Sequence, residues 1–472
     1  MSDLPPTHPD QANDSTVSTN TNNLTKESGA SADPGSRATE LLEEAAKLRT
    51  RAEGLEAEAT RLQVSTGSAG ARRAIEARSE GVAVFLGAGA SKGFGFPLTR
   101  ELLPTIIKRL ADEELFEDER INNQDLNAEH RTLLKKTLLS LCPGLQITSD
   151  EIDRNKMRLP LVTSLLSMLD FSLASGQTVV SGLTSEKTRE VRSLLERAIY
   201  EAIERDKPAG ATEFSARLPA PVAGELADWL KNLRETSPVT IITSNYDVAI
   251  EKSWGFEKRN FEQVQSLGMD FGFDWIWPAD GYPEDIMRRP SPSKHRIFKL
   301  HGSTNWLRCG LCDRVYINPE VDIAIYSYER REDRMLARTC HCGHERLEVQ
   351  IVSPSFVRDM RTPNLMNVWQ QSLESLRRAQ DWVIIGYSFP DEDLNIRSLF
   401  TRALASRYVP PKIVPPHVTV VQSSSNDQAR YEAFFPKKNF TYLTDGLEGF
   451  VPKSSRVDAA STGFAEDHAG GG

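Results

Sequence analysis

Four clustered cysteines, an Asn-x-Asp pair, one histidine before a glycine and a Gly-Ala-Gly turn hold most of the chemistry open to this 472-residue chain. Cys309-x-x-Cys312 and Cys340-x-Cys342 flank a polar loop of 27 residues. Two close thiolate pairs at such a separation suit a tetrahedral Zn²⁺ site. Four thiolates leave no open position for water, so such a metal is expected to be structural. His341 and His344 stand beside the second pair, and either could replace a cysteine. Metal-free thiols and an iron–sulfur cluster are the other readings. Cys142 lies far from this group and reads as a buried apolar filler.

Gly87-Ala88-Gly89-Ala90-Ser91 directly follows an apolar strand pattern, and a helical pattern begins near Pro97. Glycines at a strand-to-helix turn let the backbone approach a pyrophosphate, and N–H groups at the helix start can bind it. The alternative is a tight turn without a ligand. Asn245 and Asp247, within Thr243-Ser244-Asn245-Tyr246-Asp247, end a second strand pattern. Open α/β sheets bind ligands at such strand ends. An amide donates and accepts hydrogen bonds without carrying charge, so Asn245 suits the orienting of a sugar and an attacking water. Asp247 suits fixing the loop. The plain reading of both is a cap on a turn. His301 ends a third strand and precedes Gly302, which leaves room beside the ring. An imidazole there is a candidate general base near neutral pH, against a purely structural histidine.

These residues need strands to hold them. Val82–Leu86, Val239–Thr243, Arg296–Leu300, Trp382–Gly386, His417–Gln422 and Phe440–Leu443 are mostly β-branched and apolar on both faces. That pattern belongs to buried parallel strands. Helical patterns between several of them predict an α/β fold, a Rossmann-like doubly wound parallel sheet with a large helical insertion and a small zinc-binding module. The insertion spans 101–235 and contains helical patterns at Glu101–Glu114, His130–Leu141, Leu159–Ser175, Ser185–Arg205 and Pro221–Thr236. It is expected to cover the nucleotide cleft as a lid, or else to form a bundle that only packs and assembles. The zinc module spans 303–350, and the whole nucleotide-binding domain spans 80–450. Asp391 and Asp393 read as acids at a helix N-terminus, which the helix dipole favours, rather than as a metal pair.

Residues 1–37 are rich in Ser, Thr, Asn, Asp and Pro, and 451–472 look similar, so both are expected to be disordered. The segment 38–79 is read as helical. Within it Leu41, Ala45, Leu48, Ala52, Leu55, Ala59 and Leu62 alternate spacings of four and three. This is a heptad seam, for self-association or for lying on the chain's own domain. A formal charge of −9 argues against a chain whose main role is coating nucleic acid. The sequence contains no apolar run long enough to span a bilayer and no signal-peptide pattern, so a cytoplasmic protein is expected. Five cysteines, four of them clustered, suit a metal in a reducing compartment better than disulfides.

As an ordered set, the glycine turn, Thr243–Asp247, Leu300-His301-Gly302 and the cysteine quartet resemble the sirtuin superfamily. They look most like the bacterial sirtuin-like domains of anti-phage defence. The resemblance covers roughly 80–450, apart from most of the insertion. It implies that Gly87, Ala88, Gly89 and Ser91 bind the NAD pyrophosphate and adjoining ribose. It places Ser244, Asn245 and Asp247 at the nicotinamide ribose and His301 at a ribose hydroxyl. Gly95, Pro97 and Arg100 match the loop that covers the nicotinamide, but Leu98 and Thr99 replace its Asp and Phe. Gly386 and Ser388, in Gly386-Tyr387-Ser388-Phe389, match the stretch that meets the adenosine side. Sirtuins usually have two residues inside the second cysteine pair, where this chain has one.

The resemblance implies an NAD⁺ glycohydrolase that releases nicotinamide and ADP-ribose, as an anti-phage effector that arrests growth. It also implies a homo-oligomer, with an ATPase or another defence protein as a possible partner. The charge, the missing Asp-Phe pair and the insertion favour this over an NAD-dependent protein deacylase. Retention of Asn245 and His301 favours it over a sensor that binds NAD or ADP-ribose without turnover.

Overall fold

The computed structural model describes residues 67–76, 81–116, 124–145, 147, 159–204, 221–254, 261–277, 286–293, 295–317, 340–344, 347–352, 362–391, 393–406 and 415–451. The chain divides into two units, Met1–Gln63 and Val64–Gly472, and every described residue lies in the second. The expected tails, 1–37 and 451–472, and the heptad seam at 41–62 fall outside the described residues, except Val451, which is buried on the core.

Among the described residues, twelve strands form two sheets. In chain order they are β1 Val82–Leu86, β2 Val239–Thr243, β3 Met269–Asp270, β4 Trp275–Ile276, β5 Ile286–Met287, β6 His295–Lys299, β7 Gly302–Cys309, β8 Val315–Ile317, β9 Leu347–Ile351, β10 Asp381–Ile385, β11 His417–Val421 and β12 Phe440–Leu443. The larger sheet has seven strands in the order β12-β11-β10-β1-β2-β6-β3, all parallel. Every residue of β1, β2 and β10 is buried, which is why these central strands read as mostly apolar on both faces. β10 stops before Gly386, whose φ of +63° breaks the extended backbone. The sheet is the doubly wound one expected: the chain runs outward from β1 through β2 to the edge strand β3, turns back to place β6 between β2 and β3, then crosses to the other side of β1 as β10, β11 and β12.

The second sheet, β5-β4-β8-β7-β9, is antiparallel except for the β4–β8 pair. It carries the cysteines and takes β4 and β5 from outside 303–350. These strands are two residues long, too short to show a period of two.

The helices Thr99–Ala111, Gln124–Leu141, Val162–Ser175 and Ser185–Glu204 share an apolar core of their own, with Leu103, Ile106, Leu138, Leu166, Leu195 and Ile199 inside it. Pro221–Thr236, grouped with them in sequence, packs instead on the seven-stranded sheet through Leu226, Trp229 and Leu233. Among the described residues no helix is long and apolar enough to cross a membrane.

At the β3 edge, Asp270 is 2% exposed and accepts both arms of the Arg289 guanidinium, at 2.8 and 2.9 Å, and the Ser293 hydroxyl at 3.0 Å. Burial by itself raises the Asp270 pKa, but the Arg289, Gly272 N–H and Ser293 bonds outweigh it and hold the carboxyl below its usual value. A carboxyl depressed in the folded state adds stability above its unfolded pKa of about 3.9 and loses it as pH falls towards the folded value. Acid melts should therefore show the wild type losing stability below about pH 4, with a shallower loss in Asp270→Asn. Parallel acid limbs for the two proteins would refute this.

Candidate active site

In a doubly wound sheet the ligand crevice lies beyond the carboxyl ends of the strands where the winding reverses. Here that point lies between β1 and β10. Gly87 follows β1 and Gly386 follows β10, and the two loops lie backbone against backbone. Gly87 N–H donates to the Ile385 carbonyl at 2.9 Å and Gly89 N–H to the Gly386 carbonyl at 2.6 Å. A Cβ on Gly386 would stand 2.1 Å from the Ala90 nitrogen, and one on Gly89 would stand 2.7 Å from the Gly386 Cα. These glycines therefore serve loop packing as well as any approach to a phosphate. Gly386→Ala combines a positive φ with a backbone clash, so it should cost about 2–4 kcal/mol. Chemical denaturation would measure this, and a midpoint within error of wild type would refute it.

Asn245 follows β2, the neighbour of β1 on the other side. Its amide nitrogen donates to the Gly87 carbonyl at 2.8 Å and to the Ser91 hydroxyl at 2.6 Å. Ser91 Oγ in turn donates to Asp247 Oδ2 at 2.5 Å. Asp247 Oδ1 accepts from the Ala249 N–H at 3.1 Å, which closes an Asx-type turn at the start of the helix Ala249–Ser253. The Asn245 N–H is held by Thr243 Oγ1 at 3.0 Å, and the same hydroxyl donates to the Leu86 carbonyl at 3.1 Å. Both amide hydrogens of Asn245 are thus committed to the glycine turn. Its Oδ1 remains the group able to accept from a water or a sugar hydroxyl.

His301 lies two residues beyond the end of β6 and is 5% exposed. Its Nδ1 lies 3.2 Å from the Ser244 carbonyl, so the residue next to Asn245 sets the ring orientation. Trp369 and Tyr246 flank the imidazole at centroid distances of 6.2 and 6.4 Å. Trp369 is itself fixed by its Nε1 bond to the Leu300 carbonyl at 2.9 Å. The His301 carbonyl accepts from the Val352 N–H at 2.8 Å, which ties the histidine to the chain just beyond β9. A buried imidazole held against the residue next to Asn245 is a group that can move a proton at a bound sugar.

The Gly87, Gly89, Ser91, Ser244, Asn245, Asp247, His301 and Gly386 positions are thus linked through β1, β2, β6 and β10. Ala88 lies within the same turn, as the first residue of the helix Ala88–Gly93. Pro97 is half-buried, whereas Arg100 and Ser388 are exposed. Arg430 holds the Ser388 carbonyl at 2.8 Å. Asp391 pairs with Arg397 at 2.9 Å and Asp393 accepts from the Tyr387 hydroxyl at 2.8 Å, so both acids serve the β10 loop and the helix Leu394–Ala405 that follows.

The sulfur atoms of Cys309, Cys312, Cys340 and Cys342 all lie within 4.8 Å of one another. The Cys309–Cys342 and Cys312–Cys340 separations are 3.6 and 3.4 Å. Zinc–thiolate bonds of about 2.3 Å in a tetrahedron place the sulfurs about 3.8 Å apart. The four cysteines therefore fit a tetrahedral metal ion and could hold one. His341 Nδ1 sits 2.7 Å from the Tyr316 hydroxyl, which also reaches Cys340 Sγ at 3.3 Å. His341 thus orients a group beside the thiols. Burial raises the Cys309 thiol and lifts Cys312 to about 12. At Cys340 burial is outweighed by hydrogen bonds from the Cys342 backbone, Tyr316 and the neighbouring thiols, which bring it down to about 7.

Several residues of the site escaped sequence reasoning. Lys299 and Glu251 form a buried ion pair under the Asn245 loop, at 3.0 Å. Tyr246 packs on the core of the four-helix unit and gives its hydroxyl to the Val352 carbonyl at 2.8 Å. A charged residue ending an apolar strand was the available signal for Lys299. Tyr246 and Trp369 gave none, since single aromatics are ordinary core residues.

Residues 239–443 match the family model described as SIR2-like domain. No curated protein matches the chain. Similar solved structures include one described as "Structural Basis for the Mechanism and Regulation of Sir2 Enzymes", 15% identical, covering 81% of this chain and 94% of that one, with a TM-score of 0.36. Another, described as "The Structural basis for Sirtuin Substrate affinity", is 13% identical over 79% of this chain and 92% of its own, with a TM-score of 0.33. A third, "Sir2-p53 peptide-NAD+", is 12% identical over the same shares, with a TM-score of 0.34. The SIR2-like match, which runs from β2 through β12, supports a sirtuin-superfamily domain in this chain.

Proposed function

We propose that this protein is an NAD⁺ glycohydrolase, and that its substrate lies across the β1–β10 crevice with the nicotinamide ribose beside Asn245 and His301. The observation that carries this reading is the Asn245 amide, bonded at once to the Gly87 carbonyl and to Ser91 Oγ. It joins the turn suited to phosphates to the residues suited to a sugar. In the reaction the bond between the ribose carbon and the pyridinium nitrogen breaks. Its electron pair leaves with nicotinamide, which becomes neutral. A water oxygen bonds to the ribose carbon and its proton passes to the His301 imidazole, then to solvent. Asn245 Oδ1 orients that water. Gly87, Ala88, Gly89, Ser91, Ser244, Asp247, Gly386 and Ser388 line the dinucleotide, with Pro97 and Arg100 towards the nicotinamide.

The replacement of Asp and Phe by Leu98 and Thr99 in the covering loop favours hydrolysis over acyl-lysine chemistry. In the same reading the cysteine quartet holds a structural Zn²⁺, and the four-helix unit gates the crevice of an anti-phage effector. Tyr246 supports the gating role, because its ring packs on the core of that unit while its neighbours are Asn245 and Asp247. A homo-oligomer and a partner ATPase or other defence protein belong to this reading as well.

The test is the full chain incubated with NAD⁺ alone, with nicotinamide followed by chromatography. Release without any acylated peptide is expected. Release that depends on an acyl-lysine peptide would make the protein a deacylase. Binding of NAD⁺ with no release, in any oligomeric state, would make it a sensor.

A further inference from the structure

Lys299 and Glu251 have no place in the chemistry above, yet both are withdrawn from water, at 1% and 3% exposure. Lys299 ends β6, and Glu251 lies in the short helix Ala249–Ser253. Taking an ammonium and a carboxylate out of water costs as much as their attraction returns, and a well-packed apolar pair is often equally stable. Stability is therefore a poor account of this pair.

Its geometry offers another. The Lys299 ammonium donates to Glu251 Oε1 at 3.0 Å and also to the backbone carbonyl of Asp247. Neighbouring carbonyls of the loop meet other groups: the Thr304 N–H and the Ser303 and Thr304 hydroxyls donate to the Tyr246 carbonyl, and His301 Nδ1 lies against the Ser244 carbonyl. The ammonium borders a cavity of about 10 Å³ lined by apolar side chains such as Ile241 and Ile297 and also by Thr243, Asn245 and Asp247. That is room for about one water. Burial raises the Glu251 carboxyl, and Lys299 opposes the rise.

We propose that the buried Lys299–Glu251 pair is a positioning device: it fixes the Asp247 carbonyl and, through the rigid turn, the reach of the Asn245 amide to Gly87 and Ser91. Glu251 aims the ammonium, and the ammonium holds the loop. The kinetic part of this inference rests on the NAD⁺ reading, but the structural part does not.

The experiment compares wild type with Lys299→Met/Glu251→Leu, which removes both charges at similar volume. Backbone hydrogen exchange is measured without ligand over 243–252 and over β1, alongside nicotinamide release from NAD⁺. Exchange across 243–252 should rise at least tenfold while β1 keeps its protection. The rate kcat should fall at least tenfold with KM changed less than threefold, because the substrate still meets the glycine turn. Lys299→Gln/Glu251→Gln, whose amide can still donate to the Asp247 carbonyl, should recover part of both losses. Unchanged exchange over 243–252 would overturn the inference whether or not the protein cleaves NAD⁺. Global loss of protection would overturn it too, since the pair would then hold the whole domain. A loosened loop with wild-type kcat would sink the kinetic part alone. Absence of nicotinamide release from the wild type would count against the NAD⁺ reading and leave the exchange result to decide the loop.

Discussion

Asn245→Ala should lower kcat for nicotinamide release by a factor on the order of 10³ while the protein stays folded. The alanine cannot orient a water, and it frees Ser91 and the Gly87 carbonyl from their common partner. Two hydrogen bonds at a half-buried site are worth about 1 kcal/mol each. For a domain of this size that lowers the melting temperature by about 2–3 °C, far short of unfolding it at assay temperature. His301→Ala should cost about 10²–10⁴ in kcat by removing the base, again in a folded protein. Circular dichroism and a thermal melt would verify folding, and initial rates at saturating NAD⁺ would read the loss. Both variants cleaving NAD⁺ at the wild-type rate would end the assignment of these two residues.

The second large effect concerns the cysteines. Purified protein should carry one zinc per chain by elemental analysis. A strong chelator should remove the ion together with the order of β7, β8 and β9. Structural zinc–thiolate sites bind with apparent energies of about 10–16 kcal/mol near neutral pH, on the order of a whole domain's stability. Cys309→Ser and Cys340→Ser should lose most of the metal, whereas Cys142→Ser, in the helical region, should keep it. Because thiolates must shed protons to bind, retention should weaken as pH falls. The damage should also reach catalysis. β7 starts at Gly302, directly after His301, and the chain after β9 holds the His301 carbonyl. Metal-free protein that melts and turns over like the untreated protein would contradict this.

What residue order alone determined was whatever rests on local pattern. β1, β2 and β12 have the bounds read from their β-branched, aromatic and apolar runs; β1 and β2 are central strands buried throughout, and β12 closes one edge. The cysteine quartet was legible because metal ligation constrains residue type as well as spacing. Short strands were not: β3, β4 and β5 have two residues each, and what makes them strands is the neighbour they pair with. The helix Pro221–Thr236 has the amphipathic pattern of the insertion helices, and only its position decides that its apolar face meets the sheet. The candidate site divides in the same way. Asn245, His301 and the glycine turn could be named from their types and strand-end positions. The Asn245–Ser91 bond, across 154 residues, and the buried Lys299–Glu251 pair came from the tertiary structure. Local sequence encodes which side chains avoid water, but it does not encode which partner they meet when they do. That choice belongs to the winding of the sheet, which brings four distant strand ends to one crevice.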